Sequence, residues 1–242
     1  MTMNPEQTNV VELSSVSKRF KLGATEVDAL KEISLGIRKN DFVAITGPSG
    51  SGKSTLLNLI GCLDVPTSGE VKIGGTRTSD LDEKALDKLR SRAIGFIFQS
   101  FNLIPVLKAV ENVMLPLQLH GLKAQQMREQ AEHALRQVGL EQYTDHLPDQ
   151  LSGGQRQRVS IARALVTKPN LVLADEPTAN LDSSNSEAII ELMRKLNQES
   201  GVTFVFSTHD ASLLGKVDRI IRIRDGKLQE DTAAAPLKKA LG

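Results

Sequence analysis

The feature that most constrains this chain is the apolar run Phe42-Val43-Ala44-Ile45, followed by Gly47-Pro48-Ser49-Gly50-Ser51-Gly52-Lys53-Ser54 and then by Leu56, Leu59, Ile60 and Leu63. A continuous apolar run suits a strand buried on both faces of a parallel sheet. The glycines permit a tight turn lined by backbone N–H groups, and the spacing of the later leucines predicts a helix beyond it. Strand, loop and helix in this order match the G-x-x-x-x-G-K-[ST] pattern of a phosphate-binding loop. There the amides and the helix N-terminus attract phosphate oxygens, Lys53 reaches the terminal phosphates and Ser54 offers a hydroxyl to Mg2+. Thr55, the next residue, is counted with the nucleotide-binding set.

A second glycine loop, Leu151-Ser152-Gly153-Gly154-Gln155, precedes a helix expected to begin around Arg156. Ser152 and the amides of Gly153 and Gly154 can meet phosphate at that helix start, although such a loop in isolation is more often a cap. Asp175-Glu176 ends another apolar run, Leu171-Val172-Leu173-Ala174. An aspartate there can hold Mg2+ through water and the glutamate can orient an attacking water, whereas an isolated acidic pair usually only solvates a strand end. Pro177 predicts an extended backbone at Glu176.

Around these motifs the chain divides by periodicity. Residues 10–37 alternate apolar and polar positions, which predicts an antiparallel sheet edge. Residues 83–140 are helical in pattern, interrupted by Pro105, Pro116 and Gly121, and read as a mostly helical insertion. Parallel-strand signals return at Leu171-Val172-Leu173-Ala174 and Thr203-Phe204-Val205-Phe206, with Ile189, Leu192, Met193 and Leu196 at helical spacing between them, so the core sheet is discontinuous in sequence. Asp225-Gly226 between residues 220–224 and Lys227-Leu228 predicts a hairpin with positive φ at both turn residues. No repeat, low-complexity tract or long linker is visible, which favours one compact unit.

Composition limits the partners. The 242 residues can bury a substantial core, and 30 Lys and Arg nearly balance 29 Asp and Glu, so no overall basic field calls for nucleic acid. Anion recognition must be local. The single cysteine, Cys62, fits a reducing compartment. Residues 1–9 are polar and lack the pattern of a secretion signal, and no stretch reaches the roughly 18 apolar residues of a membrane span. These features predict a cytosolic chain that neither crosses a membrane nor is exported.

Taken in order, the loop 47–54, the loop 151–155, Asp175-Glu176 and His209 closely resemble the ATPase subunits of ATP-binding-cassette transporters, over essentially the whole chain. The resemblance implies an α/β fold: a P-loop, RecA-like core with an antiparallel β subdomain and an inserted α-helical subdomain. One cassette domain would span 1–242, with the helical insertion and signature loop at about 96–167 and a discontinuous nucleotide-binding core at 1–95 and 168–242. It implies ATP and Mg2+ as ligands. Glu176, His209 and Lys53 would be catalytic, and Ser54, Gln99 and Asp175 would hold the metal. The nucleotide would be met by Phe20, by Gly47, Pro48, Ser49, Gly50, Ser51, Gly52, Lys53, Ser54 and Thr55, and by Ser152, Gly153, Gly154, Gln155 and Asp182. Phe20 stands where the family usually places a tyrosine that stacks on adenine. Gln99 falls in the glutamine loop, His209 is the switch histidine, and Ala179-Asn180-Leu181-Asp182 is the loop that communicates across a dimer.

The resemblance further implies an ATP-dependent homodimer in which the signature loop of one subunit covers the ATP held by the other, with hydrolysis releasing the dimer. Phe98-Gln99-Ser100-Phe101-Asn102-Leu103-Ile104-Pro105 and residues 174–182 are similar to the lipoprotein-release and macrolide-export branch, which works mechanically on separate transmembrane permease subunits. The chain would then sit peripherally on the cytoplasmic face of the membrane. The apolar strip Phe101-Asn102-Leu103-Ile104-Pro105-Val106-Leu107 is a candidate docking surface, or equally part of the packing of the insertion. Competing readings are a regulatory cassette that signals through a membrane partner, a soluble cassette of DNA repair or translation, and a plain P-loop kinase.

Overall fold

The computed structural model describes residues 9–23 and 25–233, so most of the polar start, residues 1–8, lies outside the described residues. Two sheets form. One is antiparallel, in the order β2-β1-β4-β5, from β1 (Asn9–Leu22), β2 (Thr25–Arg38), β4 (Ser68–Ile73) and β5 (Thr76–Arg77). Its alternating pattern is realised in register, with Val11 opposite Ile37 and Leu13 opposite Leu35. The second sheet has the order β10-β9-β3-β8-β7-β6, from β3 (Phe42–Thr46), β6 (Ile94–Ile97), β7 (Leu171–Ala174), β8 (Thr203–Thr208), β9 (Arg219–Arg224) and β10 (Lys227–Ala233). All its neighbours pair in parallel except the terminal hairpin β9–β10, whose turn residues Asp225 and Gly226 have φ of 50° and 76°.

Apolar runs cover both faces of this sheet because successive strand side chains point to opposite sides. Val43 and Ile45 of β3, Leu171 and Leu173 of β7 and Val205 of β8 pack with helix α1 (Lys53–Ile60) and the inner face of the antiparallel sheet. Phe42 and Ala44, Val172 and Ala174, and Phe204 and Phe206 face the other way. That face is covered by α3 (Ala109–Met114), α4 (Ala124–Gln137), α5 (Gly153–Leu165) and α6 (Ser183–Ser200). The Phe42 ring lies 5.8 Å from Phe204 and 5.4 Å from Phe206, and burying each such side chain contributes up to about 3 kcal/mol.

Two expectations shift. The helical stretch read from Glu83 onward is interrupted: after α2 (Glu83–Ala93) the chain enters β6, which pairs with β7 in the central sheet. Helix α5 begins at Gly153 rather than around Arg156, because Ser152 already caps it: its Oγ accepts Gln155 N–H at 3.2 Å, and Gln155 Oε1 accepts Ser152 N–H at 2.8 Å.

Candidate functional site at the carboxyl ends of the parallel strands

Strands β3, β8, β7 and β6 are adjacent and parallel, so the residues following them meet at one edge of the sheet, where open α/β sheets bind ligands. After β3, Gly47 turns with φ 152°, and a Cβ there would overlap the carbonyl oxygen of Ile223. Gly52, with φ 106°, admits no side chain because a Cβ would lie 2.6 Å from the Ala29 carbonyl oxygen. The loop is thus pinched between β9 and β2. Pro48, Ser49, Gly50 and Ser54 remain exposed, and Thr55 is half-buried.

Inside the turn, Lys53 is only 7% exposed and its Nζ donates to the carbonyl oxygens of Gly47 (2.9 Å) and Pro48 (3.1 Å). The Ser51 hydroxyl is buried without a hydrogen-bond partner. No side chain caps α1 and no acidic residue occupies its first turn. A buried ammonium, an orphaned hydroxyl and an uncapped helix start with its free N–H groups are what a polyphosphate needs.

The acidic pair sits beside this cradle. Asp175 N–H donates to the Ile97 carbonyl at 3.0 Å, tying the end of β7 to β6. Ser207 Oγ lies 2.6 Å from Asp175 Oδ1 and 2.8 Å from Glu176 N. Glu176 Oε1 is 3.4 Å from Nδ1 of His209, which follows β8 and is well exposed. The backbone at Glu176 is not extended, as Pro177 suggested, but left-handed with φ 45°. Such a conformation costs about 1–3 kcal/mol in a residue with a side chain, so the surrounding bonds override the local preference. One of them runs from Ala179 N–H to the Glu176 carbonyl at 3.2 Å.

Gln99, just beyond β6, is exposed, and its carbonyl accepts Asn180 Nδ2 at 2.8 Å. Asp175, Ser54 and Gln99 supply only oxygen donors from a carboxylate, a hydroxyl and an amide, a set that suits a hard, hydrated cation such as Mg2+. Asp182 caps α6, accepting Asn185 N–H at 3.0 Å. That bond, with those from the Ser184 hydroxyl and the Asn185 amide, holds its carboxyl well below the usual range.

The two glycine loops are not brought together. Among the described residues no hydrogen bond joins 47–55 to 151–155, and α1 and α5 pack on opposite faces of the central sheet. Gly153 and Gly154 instead lean on the start of α6, where a Cβ would lie 3.3 Å from Leu181 and 2.9 Å from Asn185 respectively. Ser152 is exposed.

Phe20 stands on β1 opposite Val27, and the two are 38% and 43% exposed, so Phe20 is a surface residue and not core. Lys18 Nζ sits 5.0 Å from the centre of its ring. Two residues past Val27, Ala29 touches the phosphate loop at Gly52, so Phe20 lies on the strand pair that closes over the cradle.

The strip 101–107 is partly packed and partly exposed. Leu103 packs into the core, while Ile104 and Val106 are exposed, Val106 at 81%. Its backbone is clamped from below. Buried Asn112 bonds both polar groups of Ile104 and the Leu107 carbonyl, and Arg163 of α5 donates to the carbonyls of Phe101 and Asn102. Burial lowers the pKa of Arg163. Ser207, Asn112 and Arg163 carry no motif signal; each is a polar residue beside apolar ones, a pattern with many ordinary causes, whereas Asn180 lies in the 179–182 motif without a contact assigned to it there.

A profile of the family described as ABC transporter matches residues 30–179. A macrolide export ATP-binding/permease protein of Syntrophobacter fumaroxidans is 48% identical over 93% of this chain, which spans 32% of that protein. The chain thus covers about a third of such fused relatives. By contrast, it covers 95% of a lipoprotein-releasing system ATP-binding protein of Anaeromyxobacter dehalogenans, 47% identical over 94% of this chain. The ATP-binding cassette of Methanocaldococcus jannaschii, solved as a post-hydrolysis dimer with ADP and Pi, superposes with a TM-score of 0.85 at 47% identity, covering 94% of this chain and all of that one. The chain belongs to the ABC transporter family, in the branch of the lipoprotein-releasing and macrolide-export ATP-binding proteins.

Proposed function

We propose that this chain is the ATP-binding and ATP-hydrolysing subunit that powers a membrane ABC transporter, an exporter or extracytoplasmic release complex driven mechanically. The observation that carries the reading is the meeting of four parallel strand ends, which sets the phosphate cradle beside a glutamate and a histidine 3.4 Å apart. The cradle amides and Lys53 bind and orient the phosphates, and Lys53 offsets charge that grows in the transition state. Glu176, steadied by His209, orients the attacking water and receives its proton. Ser54, Asp175 and Gln99 would hold Mg2+, which when bound shields the phosphate oxygens.

In this reading the helical residues 96–167 form a subdomain that presents the signature loop, and the flanking segments form the nucleotide core. The loop 151–155, turned away from its own cradle, completes the site of a second copy, so two ATP molecules are held between two subunits. Ile104 and Val106 offer an apolar surface to a separate permease subunit, which puts the chain at the cytoplasmic face of the membrane. Among the described residues no helix is long and apolar enough to cross a membrane.

Glu176→Gln tests the assignment. ATP binding is expected to persist, turnover to fall at least about a hundredfold, and a dimer to accumulate with ATP on size-exclusion chromatography. Retained turnover would mean that Glu176 does not orient the attacking water.

A further inference from the structure

The two carboxylate residues of the site share one buried hydroxyl. β8 is apolar from Phe204 to Phe206, and Ser207 follows with none of its surface exposed. An amide N–H can only donate, so Ser207 Oγ accepts from Glu176 N at 2.8 Å, and its own proton goes to Asp175 Oδ1 at 2.6 Å. No other hydrogen bond among the described residues reaches the Asp175 carboxylate or the Glu176 N–H.

We propose that Ser207 is a positioning residue for ATP hydrolysis: its hydroxyl sets the rotation of the Asp175 carboxylate toward Mg2+ and pins the left-handed backbone of Glu176. This rests on the proposed function, in which Asp175 serves the metal and Glu176 the water. Donating to Oδ1 restrains the rotation of the carboxylate and, among the described residues, leaves Oδ2 without a protein partner. Accepting the Glu176 N–H satisfies a backbone donor at a residue held at a left-handed φ of 45°. The carboxylate contact with His209 Nδ1 depends on that backbone direction. A side chain without a hydroxyl would remove the only donor to the Asp175 carboxylate among the described residues and strand the Glu176 N–H at the same moment.

Ser207→Thr and Ser207→Val form the test, because they differ by a hydroxyl for a methyl at nearly equal volume. Mn2+, a spectroscopic stand-in for Mg2+, is titrated into the full chain with ADP and followed by electron paramagnetic resonance. Loss of such outer support to a metal ligand typically weakens binding 10- to 100-fold, so the Mn2+ dissociation constant should be about tenfold higher for Ser207→Val than for Ser207→Thr. Ser207→Thr should stay within about threefold of the unsubstituted chain, and ADP affinity in EDTA should be equal in both. Turnover should fall in Ser207→Val through kcat rather than KM for ATP.

If the larger side chains unfold the chain, Ser207→Ala gives the same comparison without added bulk. Equal Mn2+ affinities with and without the hydroxyl overturn the proposal. Asp175→Asn identifies which assignment has failed: weak Mn2+ binding there with no effect at position 207 refutes only the role of Ser207, while unchanged binding refutes Asp175 as the metal residue.

Discussion

The two glycine loops look alike in sequence and are unlike in structure. In the loop 47–54 the chain itself enforces glycine: at Gly47 and Gly52 a Cβ would strike the backbone of Ile223 and Ala29. Lys53 and Ser51 are buried in it, and the helix start behind it has no side-chain cap. In the loop 151–155 the glycines lie in the first turn of α5, have side chains as their nearest neighbours, and stand behind an exposed serine that already caps the helix. In the proposed reading the first loop is a phosphate cradle formed by residues of its own subunit. The second is an exposed helix end, which in the same reading meets its ligand when a second copy is brought to it.

Substituting the glycines breaks that comparison most directly. Gly47→Ala combines an overlap with backbone and a positive φ, together costing about 2–4 kcal/mol. Nucleotide binding should be lost and the melting temperature should fall by about 10 °C, read by calorimetry with and without ATP. Gly153→Ala meets Leu181 at 3.3 Å, which a side chain can yield to. Melting and single-subunit nucleotide affinity should hold, while ATP turnover falls about tenfold through lost stabilisation across the dimer, a loss of about 1.4 kcal/mol. A Gly153 variant that loses nucleotide binding as fully as Gly47→Ala would erase the distinction between the loops.

The same contrast governs what the sequence revealed. The cradle was legible because strand, glycines and helix occur in one local run, and the unbroken apolar stretch 42–45 predicted a strand buried on both sides. The start of α5 was also written locally, since Ser152 and Gln155 make a capping box, but the glycines between them drew the helix start too late. Strand β6 is too short for its periodicity to separate it from the helical pattern around it. The left-handed backbone at Glu176 was out of reach: Pro177 argued the other way, and one of the bonds that override it comes from Ser207, on another strand. Long-range polar contacts of single side chains leave no period to read.

Stacking of Phe20 on the base, which the family resemblance implies, predicts a smaller effect and extends the comparison to the edge of the cradle. Phe20 is exposed on β1 and carries the Lys18 ammonium against its ring. Stacking of this kind is worth about 0.5–1.5 kcal/mol. Phe20→Ala should therefore raise KM for ATP about fivefold with kcat nearly unchanged, and Phe20→Tyr should keep KM near that of the unsubstituted chain. If kcat falls instead, Phe20 acts on the reaction and not on the base.

The last comparison, which leaves turnover at pH 7.5 untouched, probes the far end of the cradle helix. Cys62 follows Gly61, the C-cap of α1, and burial pushes its thiol up to about 11 against the weaker opposing pull of Arg90. In the unfolded chain a thiol ionises near pH 8.5. The folded pKa is the higher one, so this contribution to stability is complete below about pH 8.5 and is lost as pH rises toward 11. Between those values a single proton imposes a slope of about 1.4 kcal/mol per pH unit. Urea unfolding from pH 8 to 10.5 should show that slope, and Cys62→Ser should remove it while leaving ATP turnover at pH 7.5 unaltered. At pH 8 the native thiol should react with maleimide far more slowly than the urea-unfolded chain. Rapid labelling of the native protein would mean that the end of α1 opens to solvent, and that the helix behind the cradle is not the rigidly buried element the comparison requires.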